Sequence, residues 1–248
     1  KGPHFLGDNL KGLANGKLDV GGEYRSRYHH EVNHRGLGLT GRDDQFWLTR
    51  VRTFANLRMT DNIRFFGEYL YADSAGETFA PRAIEENRGD AQTLFVDATL
   101  LDDGDYKLLG RVGRQELLFG NQRLISPLDW ANTRRTFDGY LMKVSSEKTD
   151  LDVFYTNPVN RITATAGSND WDSADDNQHF YGAYLSSKAF DIGTTELYYI
   201  GYDNENLNAN FSSHTVGARV NGGESILYEF EGASQFGDAF NGSDIGAG

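Results

Sequence analysis

The sequence contains no cysteine, which removes disulfide frameworks, thiolate metal sites and cysteine nucleophiles in one step. It also lacks any apolar run near the roughly 20 residues of a membrane helix, the longest being short segments such as Leu94–Val96, so a helical membrane protein is excluded. Basic residues are the minority. The 24 Lys+Arg against 36 Asp+Glu give a formal net charge of −12, which argues against a nucleic-acid binder, because phosphate neutralisation needs a basic face. The N-terminal Lys1-Gly-Pro-His-Phe-Leu6 carries no apolar h-region, so any secretory signal is expected to have been removed already, and export stays open.

What is abundant points elsewhere. Glycine reaches 29 of 248 residues and aromatic residues 13%, while hydrophobic residues make up only 38%. This departs from ordinary soluble composition, where glycine is about 7%. It suits a transmembrane β-barrel, whose strands need a single apolar face.

Period-2 alternation is the dominant pattern. Leu18, Val20, Tyr24 and Tyr28 share one parity, and Asp19, Glu23, Arg25 and Arg27 the other. Trp47, Val51, Leu57 and Met59 oppose Arg50, Arg52, Asn56 and Arg58, and Ile63, Phe65, Tyr69 and Tyr71 oppose Arg64 and Glu68. Ile226, Tyr228 and Phe230 oppose Glu229, Glu231 and Gln235. About eleven strands are expected, near 17–28, 45–59, 62–72, 91–101, 105–115, 136–145, 149–157, 178–187, 194–202, 212–221 and 225–236. Tight turns such as Met59–Asn62, Leu101–Asp105, Ser145–Thr149 and Asn221–Glu224 alternate with long connections around 29–44, 73–90, 116–135 and 158–177. Outer-membrane barrels alternate periplasmic turns and extracellular loops in this way. Tyr28, Trp47, Tyr71, Tyr155 and Tyr202 fall at the long-loop ends of their strands and are expected in an aromatic girdle facing lipid headgroups. The facing of strands 178–187 and 194–202, with Tyr on both parities, stays open.

The inward parity then carries Arg25, Arg27, Arg50, Arg52, Arg58, Arg64, Lys107 and Arg111. Guanidinium forks match carboxylates, and charged walls set the selectivity of pores. Such a wall is expected to favour carboxylate-bearing anions. The other reading is a structural network with Asp19, Glu23, Glu68, Asp97, Glu229 and Glu231, and the two are compatible. Because Glu229 and Glu231 lie on the last expected strand, the wall is expected to be electrostatically polarised.

Asp170-Trp-Asp-Ser-Ala-Asp-Asp176 and Asp203-Asn-Glu-Asn206 concentrate acid in loops. Oxygen clusters of this kind hold hard cations such as Ca²⁺, but neither segment fits an EF-hand, and a solvated loop explains both. His29, His30, Glu31 and His34 lack a second ligand cluster and read as surface histidines. There is no Gly-x-Ser-x-Gly elbow, and the paired Asp102 and Asp103 sit in a tight turn with no pocket to raise a pKa. No enzyme, cofactor or resident metal is expected.

One stretch resembles a known family. Over Arg111–Tyr140 a strand ends in Gly113-Arg114-Gln115, a loop follows with Gly120, Arg123-Leu124 and Trp130-Ala-Asn132, and then Arg135 and Phe137-Asp138-Gly139 open the next strand. This order is similar to that of the alginate export family of outer-membrane barrels. Outside the stretch the similarity is one of pattern. The resemblance implies a barrel of roughly eighteen strands, so the chain is expected to be C-terminally incomplete and to form an open, curved part of that barrel. The organisation implied is an N-terminal periplasmic extension over 1–16 and a β-barrel domain over 17–248.

The function implied is a porin-like channel in the cell outer membrane for passive diffusion of an anionic polysaccharide such as alginate, or a related carboxylated sugar, through an arginine-lined lumen. Folded inward, the loop would narrow the pore and place Arg123, Arg134 or Arg135 in it. Alternatively Trp130, Phe137 and Asp138 merely hold the loop against the wall. In a different class stands a structural or adhesive surface protein, using the barrel as anchor and the acidic loops to bind partners or cations. A soluble carbohydrate-binding sandwich would need the apolar parity buried against a second sheet.

Overall fold

The computed structural model describes residues 10–35, 38–161, 171–240 and 242–247. Alternating side chains and tight polar turns give an up-and-down antiparallel meander: β1 (Leu18–Glu31), β2 (Asp44–Arg58), β3 (Ile63–Ala75), β4 (Asn87–Asp102), β5 (Lys107–Gln115), β6 (Phe137–Ser145), β7 (Thr149–Asn160), β8 (Gln178–Ser187), β9 (Thr194–Asn204), β10 (Phe211–Gly222), β11 (Tyr228–Asp238) and β12 (Asp244–Ala247). Each strand pairs with its sequence neighbour. The two-residue segment Ser173–Ala174 adds to β7 and completes a 13-stranded sheet, and His34–Arg35 pairs with Gly38–Leu39 in a separate ladder. The sheet is not closed: β1 and β12 lie at its two ends. No helix among the described residues is long and apolar enough to cross a membrane, which says nothing against crossing by strands.

All eleven expected strands are present, with β12 as an addition. The turns are local and polar. In the β4–β5 turn, Asp103 Oδ1 accepts from the backbone N–H of Asp105 at 3.1 Å and of Tyr106 at 2.8 Å, an Asx-turn arrangement that an aspartate favours. The alternation of short and long connections holds up to β8. Beyond it, 188–193 and 205–210 are of equal length.

One face of the sheet leaves Tyr24, Tyr28, Trp47, Phe65, Tyr69, Leu94, Val112, Tyr140, Met142, Tyr155, Val216 and Phe230 exposed. The opposite face buries Phe46, Leu48, Arg50, Glu68, Leu70, Phe95, Asp97, Phe154, Tyr184, Tyr198 and Ile200. A soluble sandwich would cover the first set, and none of it is covered. The buried face is therefore not uniformly polar, contrary to the expectation from parity. Leu117 and Ile125, from the connection 116–136, pack with Phe137, Phe154, Tyr184, Tyr198 and Ile200 into the core cluster. Phe119 stacks on Phe154 and Tyr184 at ring-centroid distances of 5.5 and 5.0 Å. The core is thus a loop wrapped by a sheet.

Two expectations about the tyrosines are corrected or completed. Tyr202 does not join the outer girdle. It is on the parity of Tyr198 and Ile200, and its ring meets Phe180 edge-on at 6.1 Å. On β8 and β9, Tyr184 and Tyr198 face inward and stack at 5.6 Å, whereas Tyr199 is exposed on the outer parity.

Candidate functional site

The two halves of the loop motif face each other across a single ladder. Gly113 is in register with Gly139, Arg114 with Asp138, and Gln115 with Phe137. Both glycines have positive φ, 123° and 155°, and a Cβ at Gly113 or Gly139 would overlap the carbonyl oxygen of Leu94 or Tyr155 on the adjoining strand. Only glycine supplies that backbone at that approach. Arg114 grips Asp138 through Nε at 2.8 Å and Nη2 at 3.0 Å. Its Nη1 reaches Asp90 at 3.2 Å, and Nη2 also donates to the Asp172 carbonyl at 2.7 Å. Gln115 is fully buried. These residues form a rigid collar from which the connection 116–136 departs.

That connection crosses the concave face from one end of the sheet to the other. At the β1–β2 end its carbonyls meet three arginines. Arg25 donates to the carbonyl of Asp129 at 2.9 Å and to that of Ala131, Arg27 to that of Trp130 at 2.6 Å, and Arg50 to that of Ala131 at 3.2 Å. Asn132 Nδ2 lies within donor reach of three strand and loop carbonyls, those of Thr49 at 3.0 Å, Asp73 at 3.2 Å and Glu85 at 2.9 Å. Thr133 Oγ1 donates to the Ala83 carbonyl at 2.9 Å. At the far end Arg123 donates to Glu229 at 2.6 Å and to Glu231 at 2.8 Å, both on β11. The loop thus meets different partners at its two ends: its carbonyl oxygens meet arginines of β1 and β2, and its Arg123 guanidinium meets carboxylates of β11. Gly120 lies against the Tyr184 hydroxyl, where a Cβ would overlap it.

Most of the expected wall cations are paired with carboxylates. Arg50, 1% exposed, holds Glu23 through Nε at 3.0 Å and Nη2 at 2.5 Å. Arg52 is bidentate on Glu68 at 3.0 and 2.7 Å. Arg64 and Arg111 share Asp97, the closest contacts being 2.5 and 2.7 Å, and Arg111 also lies 3.8 Å from the Phe95 ring centroid. Arg58 holds Asp19 at 2.6 Å and the Gly16 carbonyl at 3.0 Å, tying the N-terminal turn to the tight-turn end of the sheet. Lys107 lies 3.5 Å from Asp102. In the loop, Arg134 donates to Glu116 at 2.5 Å and to Asp129. Burial raises the Glu116 carboxyl above its ordinary pKa, and Arg134 opposes the rise.

Three cations of the set stand apart. Arg25 and Arg27 donate through their Nη atoms to neutral carbonyls, while the Nε of each is buried without a partner, and among the described residues neither has a carboxylate within ion-pair distance. The Arg135 side chain is exposed and, among the described residues, has no hydrogen-bond or ion-pair partner.

Other expectations are redirected. The Trp130 side chain is 61% exposed. Its carbonyl, not its ring, contacts the wall, and Asn132 is the anchor. Asp172 is buried and accepts from Asn87 Nδ2 at 2.7 Å, so this part of the acidic segment is a packed clasp instead of a solvated loop; Asp170 lies outside the described residues. Asp175 accepts from Asn206, Gln178 and the Asn177 N–H, which holds its carboxyl below the usual range. Among the described residues no His, Asp or Glu group is gathered as a metal site. His29 stacks on Phe46 at 5.1 Å, and His30 lies 3.8 Å from Asp43. The functional parts that sequence reasoning missed are Glu116 and Asp129, and the inward Phe154 and Tyr184. The only signal for the first pair was their place between Arg114 and Arg134 in the sequence.

The family model for alginate export matches residues 16–247. The chain belongs to the alginate export family. That family is one of outer-membrane polysaccharide transport through β-rich proteins, not of enzymes, and the up-and-down meander agrees with it. No individual curated protein matches the chain.

Proposed function

We propose that this alginate export family member is a porin-like channel for passive diffusion of an anionic polysaccharide, or a related carboxylated sugar, across the outer membrane. In this reading the long connections face outward, residues 1–16, of which 1–9 lie outside the described residues, belong to a periplasmic extension, and the loop over 116–136 is the constriction. One observation carries the anionic preference: Arg25 and Arg27 hold the loop through neutral carbonyl oxygens, so among the described residues their charge is not cancelled by an ion pair. Fixed positive charge in a low-dielectric passage favours anions.

The test is the reversal potential of the full-length protein in a planar bilayer under a salt gradient, repeated with an acidic polysaccharide on one side. Anion selectivity with block by the polysaccharide is expected. A combined Arg25→Gln, Arg27→Gln variant is expected to lose much of that preference. An Arg50→Ala, Arg52→Ala, Arg64→Ala variant is expected to shift it toward cations, because Glu23, Glu68 and Asp97 lose partners. An unchanged reversal potential in both variants, or no conductance from correctly inserted protein, overturns the reading.

A further inference from the structure

At the long-loop end of β6, β7, β8 and β9 the inner face carries a cavity of about 330 Å³ lined by Leu124, Ile125, Ser126, Arg135, Phe137, Pro158, Phe180 and Tyr202. Its size lies at the lower end of the roughly 300–1,000 Å³ typical of small-ligand pockets. Phe137 and Phe180 stack at 5.2 Å, and Tyr202 stands edge-on to Phe180. The result is a continuous aromatic wall. The Tyr202 hydroxyl donates to Gln178 Oε1 at 2.5 Å, and the Ser126 hydroxyl donates to Gln122 Oε1 at 3.0 Å while accepting from the Leu128 N–H at 3.1 Å, so Tyr202 keeps its lone pairs and Ser126 keeps one to accept from a ligand hydroxyl.

Among the described residues the one cationic group on this wall is Arg135. A guanidinium presents a planar fork of donors suited to a carboxylate, and every other loop arginine has its fork occupied: Arg123 by Glu229 and Glu231, Arg134 by Glu116 and Asp129. Arg135 is held ready by its backbone, whose N–H donates to the Pro127 carbonyl at 2.9 Å. Nearby, Arg161 donates to Thr133 Oγ1 at 2.9 Å. Burial first, and the charge of Arg135 second, hold the Arg161 guanidinium below its ordinary pKa, with Asp172 opposing the fall.

We propose that this cavity is a saccharide-binding subsite, in which one uronate residue of a passing polysaccharide sets a sugar face against Phe180 and Tyr202 and its carboxylate on the Arg135 fork. The proposal rests on the transport reading for the class of ligand, and it adds a discrete resting place at the outer end of the path. Sugars expose C–H faces that pack on aromatic rings, while their hydroxyls need acceptors at the rim. The cavity supplies both, with a free charge for the acidic substituent.

The experiment is calorimetric titration of the full-length protein in detergent with short oligouronates, and with neutral oligoglucosides as the control. Wild type is expected to bind oligouronates and not the neutral series. Arg135→Gln should weaken oligouronate binding about tenfold, the scale of one charge-assisted hydrogen-bonded pair. Phe180→Leu is expected to weaken it with the charge intact, with the heat-modifiable mobility of each variant confirming a folded barrel. Equal binding by wild type and Arg135→Gln, or no binding by wild type, overturns the subsite. Because binding is read without current, a channel that fails to conduct but binds through Arg135 refutes the transport reading alone.

Discussion

Arg25 and Arg50 stand directly opposite each other on β1 and β2, and both donate to the same carbonyl oxygen, that of Ala131 in the inner loop. Like charges directly across a ladder repel. Here the repulsion is relieved by the Glu23 carboxylate on Arg50 and by a loop carbonyl between the two forks. The loop therefore serves as the counter-dipole for the wall, and wall and loop stabilise each other.

The two arginines are expected to respond unequally to substitution. Arg50 is 1% exposed and carries an ion pair, so Arg50→Met leaves Glu23 with only its longer contact to Arg52 at 3.4 Å and should cost about 3 kcal/mol. Arg25→Met removes two bonds to neutral carbonyls but also the repulsion, and should cost about 1 kcal/mol. Urea unfolding in lipid vesicles measures both, and equal costs would refute the account.

Asn132 is expected to be the anchor of the loop. Asn132→Ala removes the donor shared by the Thr49, Asp73 and Glu85 carbonyls and should cost about 1–3 kcal/mol. Asn132→Asp should be worse, since it aims a negative charge at three carbonyl oxygens. Hydrogen exchange over 116–136 is expected to accelerate in both variants, while exchange in β8 to β10 stays as in wild type.

At the collar, the backbone decides. Gly113→Ala and Gly139→Ala each force a Cβ into a neighbouring carbonyl at a positive φ, and each is expected to reduce the yield of heat-modifiable, folded barrel several-fold. The Arg114→Lys variant keeps the charge but loses the bidentate grip on Asp138, and should lower stability by about 1–2 kcal/mol. Gel mobility before and after heating reads all three.

Glu116 provides a pH dependence. Burial raises its pKa above the ordinary carboxylate value, so the folded state takes up this proton more readily than the unfolded chain. Its contribution to stability is therefore fully present below the ordinary carboxylate pKa and is lost as pH rises through the raised value. As pH falls through that window, Glu116 neutralises while Arg134 stays charged, and the loop becomes more positive. Anion preference is expected to increase across this step, and Glu116→Gln is expected to flatten it. Reversal potentials between about pH 4 and pH 7 provide the measurement.

Strand positions, tight turns and the outward face were legible in the sequence because each is local: a strand shows its facing every second residue, and a turn shows its Asp, Asn and Gly. The arginine wall was legible for the same reason. Its pairings were not, since Arg52 with Glu68 and Arg64 with Asp97 join different strands and depend on register. The inward aromatic residues were misread for a further reason. Parity tells which face a side chain takes but not what covers that face, so Phe154, Tyr184 and Tyr202 had no visible partner until the loop was placed.

By itself the sequence determined an antiparallel, up-and-down sheet with one apolar and one arginine-bearing face, because period-2 alternation and turn chemistry act over a few residues. Only the tertiary structure decided that the loop after β5 lies inside the curve, that most wall arginines are cancelled by carboxylates, and that, among the described residues, Arg25, Arg27 and Arg135 are not. Which charges remain uncancelled is set by distances between residues up to about a hundred positions apart, as from Arg25 to Ala131, and no local rule of propensity or spacing fixes such distances.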